Sequence, residues 1–244
     1  MENNEDRNCT IYNVPNYGAI LQAYSLAEYL RREGHEVVLF NVDSPKRHPY
    51  IYKLKRLFKL GFIDKFQQRN YPAITSNLNE EVDIYMVGSD QVWNIEITQA
   101  DYDKYFLAFA LHNRKVSYAA SFGNNEWDFP SKRNEIRGFL SAFKYITVRE
   151  EMGVNILKDE FNMKGNCVLD PCFLLDGNDF LFGKIIESKK ILVSYKLSYD
   201  RFYDLELRKL GKMLGCKVNR LRYKYVSSLP NCKDLNVGYC DVEE

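Results

Sequence analysis

The chain has 244 residues, with 34 basic and 33 acidic side chains and a formal net charge of +1. This near balance argues against a general nucleic-acid binder. No apolar run approaches the roughly 20 residues of a membrane span, and the polar residues 1–7 are unlike a signal peptide. The six cysteines form no CxxC pair and have no histidine beside them, so we expect reduced thiols, a cytoplasmic protein and no metal site.

The first 42 residues predict a β–α–β unit. Residues 9–14 have the pattern of a short strand, residues 19–32 carry an apolar stripe at helical spacing, and residues 35–42 form the next strand. Asn16 and Gly18 lie in the turn before the helix, where the N-terminus of a helix can hold an anion.

The segment from Lys46 to Arg69 is the most basic part of the chain, with eight Lys or Arg and a single acidic residue. Its apolar residues fall at helical spacing, so it could contact a membrane surface or an anionic glycan at the periphery. The plainer interpretation is a solvated helix that packs its apolar side on the domain.

Residues 83–94 form the stretch around which the chain is organised. A short strand ends at Val87 and small and polar residues follow at once, which are Gly88, Ser89, Asp90, Gln91 and Asn94. Together they offer a hydroxyl, a carboxylate and two amides, an inventory suited to a hydroxyl-rich or phosphate ligand. A solvated turn after a core strand is the alternative.

Three later strands end in the same way. Residues 115–120, 145–148 and 168–169 are predicted strands, followed by Ser121, Arg149 and Asp170 respectively. In a parallel sheet these ends fall on one edge, where ligands bind, so we expect the polar residues to converge there. Between the first two of these strands, residues 131–143 predict a helix with Ser131 as its N-cap.

The pattern restarts after residue 176. Residues 179–187 predict a helix, and residues 190–195, 201–214 and 216–221 predict a strand, a helix and a strand. Residues 226–244 leave no room for the remaining strands of a parallel sheet, so the second domain is expected to be incomplete. The expected organisation is an N-terminal domain at residues 8–176, a connector at 177–189 and an incomplete C-terminal domain at 190–244.

Five stretches of this sequence resemble the polysaccharide pyruvyl transferase family. In the family's order they are residues 16–24 (NYGAILQAY), 87–94 (VGSDQVWN), 117–123 (SYAASFG), 148–150 (VRE) and 169–171 (LDP). The run Gly-Ser-Asp-Gln-x-Trp-Asn is the most specific of them.

The resemblance implies an α/β fold with a Rossmann-like parallel-sheet domain and the start of a second one, in a GT-B-like arrangement that is truncated at its C-terminus. It also implies transfer of the pyruvyl unit of phosphoenolpyruvate, with no further cofactor, to a pair of sugar hydroxyls. The acceptor would be a saccharide or a lipid-linked saccharide of surface polysaccharide biosynthesis, and the product a ketal. Such chemistry needs a general acid, cationic groups and a base.

The family's second domain carries a His-Gly motif that is thought to supply catalysis. None of His35, His48 and His112 matches it, so no catalytic histidine is assigned, and we expect this chain alone to be inactive. The sequence is therefore compatible both with a transferase and with a protein that does not catalyse.

Position and resemblance together predict a cleft lined by Asn16, Gly18, Gly88, Ser89, Asp90, Gln91, Asn94, Ser121 and Arg149. Asp90 is the candidate base or hydroxyl-orienting group, with a helix N-cap as its alternative role. Arg149 could bind the anionic donor, or form an ion pair with Glu150 or Asp170. Asp170 with Pro171 is expected to form a structural turn.

Two other functions fit the same frame. One is a glycosyltransferase relative that binds a nucleotide sugar, and the other is a truncated protein that binds but does not catalyse.

Overall fold

The structure, a computed structural model, describes residues 5–10, 12, 16–41, 61–78, 82–110, 114–181, 190–196, 201–229 and 232–241. These fall into two compact units, divided between Asp179 and Phe180. Most of the basic segment from Lys46 to Arg69, most of the helix predicted at 179–187, His48 and His112 lie outside the described residues.

A six-stranded parallel sheet forms the centre of the first unit. Its strands are β1 (Glu5–Cys9), β2 (Glu36–Phe40), β3 (Ala73–Thr75), β4 (Ile84–Val87), β5 (Lys115–Ser117) and β6 (Phe143–Tyr145). They lie in the order β3-β2-β1-β4-β5-β6. Two further short strands, β7 (Thr147–Val148) and β8 (Asn166–Cys167), pair in parallel with each other.

Helices connect these strands. They are α1 (Tyr17–Arg32), α2 (Gly61–Asn70), α3 (Ile95–Thr98), α4 (Tyr102–Tyr105), α5 (Arg133–Leu140) and α6 (Glu151–Phe161). Single turns of 3-10 helix lie at Gln99–Asp101, Pro130–Lys132, Pro171–Leu174 and Gly177–Leu181. The whole is an α/β fold, as the alternating pattern predicted.

Both faces of the sheet are covered at β2, because four consecutive residues, 37–40, are buried and their side chains point alternately to the two faces. In β2, Phe40 belongs to a core that α5 and α6 also enter, while Leu39 is buried outside that core. Helix α1 packs against β2 and buries Ala19, Ala23 and Leu26.

The core that contains Phe40 also holds a group of aromatic rings. We call Trp93, Phe106, Phe122 and Phe143 the Trp93 cluster: the Trp93 ring lies 5.5, 5.1 and 6.0 Å from the other three in that order. Trp93 is fully buried, and its indole N–H donates to the carbonyl of Tyr105 at 3.2 Å. Trp93 itself belongs to the organising stretch, two positions after Gln91.

The second unit contains strands β9 (Ile191–Lys196), β10 (Lys217–Leu229) and β11 (Cys232–Asp241) and helix α7 (Arg201–Leu214). Strand β10 pairs in parallel with β9 and antiparallel with β11. The β–α–β pattern predicted from residue 190 is therefore present. Beyond the predicted strand at residues 216–221, β10 runs on to Leu229 and β11 follows as an antiparallel hairpin, which the sequence analysis did not predict.

Two boundaries in the first unit differ from the sequence prediction. The strand predicted at residues 9–14 is instead β1, which ends at Cys9 and pairs with β2 and β4. This central strand consists mostly of charged and amide residues, so its sequence does not have the pattern of a buried strand. Ser131 is not a helix N-cap, because Pro130 opens a 3-10 turn and α5 begins only at Arg133. In the described residues, no helix is both long and apolar enough to cross a membrane.

Candidate functional site

The ends of three strands come together on one edge of the first unit. Single-residue parallel bridges join Asp90 to Ala120 and Ala120 to Val148. The backbone N–H of Ser121 donates to the Asp90 carbonyl, and that of Arg149 to the Ala120 carbonyl, each at 3.0 Å. The polar residues after β4, β5 and β7 therefore lie side by side, as expected for parallel strands.

Asp170 lies at the centre of this edge and connects its polar side chains. Its Oδ2 atom accepts from the hydroxyl of Ser89 at 2.8 Å and from the Arg149 guanidinium at 3.4 Å, and its Oδ1 atom accepts from the Cys172 N–H at 3.0 Å. Asp170 thus caps the turn Pro171–Leu174, as the structural interpretation predicted, and also contacts two predicted site residues. We call Ser89, Asp90, Arg149, Glu150 and Asp170 the Asp170 cluster.

Arg149 is surrounded by acidic groups. Its Nε atom donates to Glu150 at 2.8 Å in addition to the contact with Asp170, so both ion pairs that the sequence left open are formed. Burial opposes the charged guanidinium, but Glu150, Asp90 and Asp170 outweigh it and raise the pKa of Arg149. One permanent cation therefore faces three carboxyl groups.

The carboxyl of Asp90 is partly buried. Burial raises its pKa, and the N–H of Gln91 and the charge of Arg149 oppose that rise only in part. Its φ of 73° is in the left-handed region, which aspartate tolerates better than most residues, and its Oδ1 atom accepts from the Gln91 N–H at 2.8 Å. Asp90 caps no helix, because α3 begins later and Asn94 is its N-cap.

Gly88 and Ser89 are held tightly against neighbouring backbone, and the peptide bond between them is cis. Gly88 has a φ of 112°, and a Cβ atom there would lie 2.2 Å from the Tyr118 carbonyl oxygen, so the required close approach is to the adjacent strand end. Ser89 is fully buried, and its hydroxyl also accepts from the Asp90 N–H at 2.6 Å.

Gln91, Asn94 and Ser121 form a second group beside the cluster. The Asn94 amide donates to Gln91 at 3.3 Å and accepts from the Glu96 N–H at 3.0 Å. The Ser121 hydroxyl accepts from the N–H of Gly123, where a Cβ atom would lie 2.5 Å from the Asn94 amide nitrogen. The three predicted residues are thus neighbours, and the backbone passes close to their amides.

Asn16 and Gly18 form the first turn of α1. The Asn16 side chain accepts from the N–H of Gly18 at 2.8 Å and of Ala19 at 3.4 Å, which caps the helix from within the chain. In the described part of the chain, no hydrogen bond joins Asn16 or Gly18 to the Asp170 cluster.

Four residues of this region escaped the sequence prediction. Thr10 and Gln22 are buried and hydrogen-bond to the backbone of Ser89. Burial and nearby Asp170 raise the pKa of Tyr118, and the same two causes raise that of Cys172 to about 12. Of the four, only Gln22 could have been noticed in the sequence, because it is a polar residue among the apolar positions of a predicted helix.

Proton transfer is the chemistry that this arrangement offers. A carboxyl with a raised pKa, Asp90, lies near the charged Arg149, and the protonated hydroxyl of Tyr118 lies near Asp170. In the described residues, no three His, Cys, Asp or Glu side chains are grouped so that they could hold a metal ion.

Comparison with curated proteins returns no match. The family model described as polysaccharide pyruvyl transferase matches residues 16–240. This match spans both units and includes every residue of the Asp170 cluster, and the chain therefore belongs to the polysaccharide pyruvyl transferase family.

Proposed function

We propose that this protein transfers the pyruvyl unit of phosphoenolpyruvate to two hydroxyls of a saccharide or lipid-linked saccharide, in the cytoplasmic synthesis of a surface polysaccharide. The family implies a saccharide acceptor. The observation that carries the proposal within the molecule is the partly buried carboxyl of Asp90, whose pKa is raised at an edge where three strand ends meet.

The proposed reaction needs two hydroxyl deprotonations and one carbon protonation. The enol carbon C3 gains a proton and becomes a methyl group, while the first hydroxyl oxygen adds to C2. The bond from C2 to the phosphate oxygen then breaks, and the second hydroxyl oxygen takes its place. One hydroxyl proton is thus balanced by the new C–H bond and the other by the released hydrogen phosphate.

Asp90 is suited to take a proton from an acceptor hydroxyl. A desolvated carboxylate is more basic than an exposed one, and a base works best when its pKa approaches the working pH. The Arg149 cation lowers the pKa of Asp90 and so keeps its ionised form accessible. We therefore assign Asp90 the role of general base.

The charge of the Asp170 cluster favours the acceptor over the donor as its ligand. Glu150 and Asp170 already pair with Arg149, and Asp90 adds a further carboxyl. An anionic ligand such as phosphoenolpyruvate would be repelled by these carboxyl groups, whereas sugar hydroxyls could donate hydrogen bonds to their oxygens. Donor binding by Arg149 is thus the weaker proposal, and orientation of Asp170 by Arg149 the stronger.

The proposed frame is a Rossmann-like domain followed by a second one in a GT-B-like arrangement. Support for the first part comes from the strand order β3-β2-β1-β4-β5-β6, which is that of dinucleotide-binding sheets. In such sheets ligands bind outside the carboxyl ends of the strands. The nine predicted cleft residues come after strand ends in the amino-acid sequence.

Phosphate release tests the proposal. The complete protein would be incubated with phosphoenolpyruvate and a panel of galactose- and mannose-containing acceptors, with phosphate and the mass of the acceptor both measured. We expect stoichiometric phosphate and ketal from the wild type, and at least about a 10²-fold slower rate from Asp90→Asn.

A panel that gives no phosphate would contradict the proposed reaction. If a nucleotide sugar but not phosphoenolpyruvate then raised the melting temperature, the glycosyltransferase alternative would replace it.

A further inference from the structure

Thr10 and Gln22 form a buried polar contact beneath the Asp170 cluster. The Gln22 amide nitrogen donates to the Thr10 hydroxyl at 3.0 Å and to the Ala19 carbonyl at 2.9 Å. Both side chains are 2 % exposed, so neither can contact a ligand. Any effect on the site must act through another residue.

That residue is Ser89, whose backbone they hold from both sides. The Ser89 N–H donates to the Gln22 amide oxygen at 3.1 Å, and the Ser89 carbonyl accepts from the Thr10 hydroxyl at 2.9 Å. One peptide donor and one peptide acceptor of the same residue are thus fixed by two linked side chains. With two contacts on one residue, both its place and its orientation are determined.

Packing alone gives no reason for these residue types. An apolar side chain of similar size would fill the same space beside α1 without the desolvation that a buried amide requires. Neither side chain belongs to a backbone ladder or a helix cap, and their shared partner is a residue of the Asp170 cluster.

Ser89 passes this constraint on to the two acidic residues. Its hydroxyl donates to Asp170 and accepts from the Asp90 N–H, at 2.8 and 2.6 Å. A shift of the Ser89 backbone would therefore move the hydroxyl away from Asp170 and release Asp90 from its partly buried position.

We propose that Thr10 and Gln22 are positioning residues, which hold Ser89 so that Asp90 and Asp170 keep their places in the site. The catalytic part of this inference rests on the proposed function, whereas the positional part does not. The two parts can therefore be tested by separate measurements.

Four variants of the complete protein separate positioning from general stability. Thr10→Val and Gln22→Met keep the side-chain size and remove the polar contacts, while Thr10→Ser keeps the hydroxyl. The matched control is Tyr71→Phe, which removes a buried hydrogen bond to the same helix, at 2.9 Å to the Ile20 carbonyl, without touching Ser89.

The first measurement is the titration of the Asp90 carboxyl by carbon-13 NMR. We expect its pKa to fall toward the ordinary aspartate value in Thr10→Val and Gln22→Met, because the carboxyl becomes solvated. Thr10→Ser and Tyr71→Phe should titrate as the wild type does. An unchanged titration in Thr10→Val and Gln22→Met would overturn the proposal, whatever the reaction proves to be.

The second measurement is phosphate release at saturating substrates. We expect kcat to fall on the order of 10²-fold in Thr10→Val and Gln22→Met with KM changed only a few-fold, and Thr10→Ser to retain most of the rate. An equal loss in Tyr71→Phe would assign the effect to stability and refute positioning. A wild type that releases no phosphate would remove the proposed function but leave the titration result standing.

Discussion

The loop after β4 contributes Asp90 to the Asp170 cluster and Trp93 to the Trp93 cluster, and burial has opposite effects on these two residues. Asp90 and Trp93 are three positions apart, and the backbone of the loop is fixed to Ser121 at both, through the Asp90 carbonyl at 3.0 Å and the Trp93 N–H at 3.1 Å. Trp93 buries its whole ring among other rings, which stabilises the fold. Asp90 buries part of a charge, which opposes folding.

The difference shows how a site with an unfavourable local structure is kept in place. Asp90 has a positive φ, and burial of its carboxyl raises its pKa; both features are locally unfavourable. The aromatic packing immediately after it supplies the stability that the acidic residues lack. We therefore expect substitutions in the Trp93 cluster to affect mainly stability, and those in the Asp170 cluster mainly activity.

The largest effect is expected from Trp93→Ala. Loss of a fully buried indole among three aromatic rings should lower the free energy of unfolding by about 3–5 kcal/mol. Urea denaturation followed by circular dichroism would measure it. Trp93→Phe is the matched control, since it keeps a ring beside Phe106 and loses the indole hydrogen bond to Tyr105; it should lose clearly less. Equal losses in the two variants would show that the hydrogen bond, and not the ring packing, is decisive.

Sequence patterns predicted the parts of this molecule that follow from local periodicity. The strand that ends at Val87, the helix in residues 19–32 and the helix at Arg201–Leu214 were all found close to their predicted places. The convergence of the residues after Val87, Ala120 and Val148 was also predictable, since parallel strands present their ends on one edge.

Other features depend on contacts between distant residues, which periodicity does not carry. Central strand β1 was misplaced because its residue types are polar, and its identity comes from pairing with β2 and β4. Thr10 and Gln22 were missed for the same reason, because Ser89 is 79 and 67 residues away from them. The ion pairs of Arg149 were foreseen only as an alternative, since charge alone does not say which partner is near.

A smaller effect on stability is expected from Arg149→Met. The variant leaves Glu150 and Asp170 without their cation, and loss of one partner of a buried pair typically costs about 3–5 kcal/mol. The Arg149 side chain is 27 % exposed, so solvent screens part of this and we expect about 1–2 kcal/mol at pH 7. Because Arg149 lowers the pKa of Asp90, this pKa should rise when the cation is lost, so the deficit should shrink as the pH falls and Asp90 becomes protonated.

Thermal unfolding between pH 4 and 8 would measure the deficit. Arg133→Met is the matched control, because it removes the pair of Arg133 and Glu160, whose side chains are 47 % and 28 % exposed. We expect less than about 1 kcal/mol from the control. A deficit in Arg149→Met that is independent of pH would mean that lost packing, and not lost charge, causes it.

The smallest effect on stability, and the sharpest contrast with Trp93→Ala, is expected from Asp90→Asn. Asparagine can keep the contact with the Gln91 N–H and tolerates the positive φ, so the local structure should survive. Burial raises the pKa of Asp90 in the folded state, so the folded protein binds this proton more tightly than the unfolded chain does. The wild type therefore loses this contribution to stability as the pH rises through the folded pKa, and asparagine, which cannot ionise, does not.

The melting temperature of Asp90→Asn should consequently equal that of the wild type at low pH and exceed it at pH 8. The corresponding gain in the free energy of unfolding at pH 8 should lie between zero and about 1 kcal/mol. Its transfer rate should nevertheless be at least about 10²-fold lower, because the proposed base is gone. The opposite pH trend would be a variant that loses stability relative to the wild type between pH 5 and pH 8. It would mean that attraction to Arg149 outweighs burial at this carboxyl. In that case Asp90 would be a structural partner of Arg149, and the general base would have to be sought elsewhere.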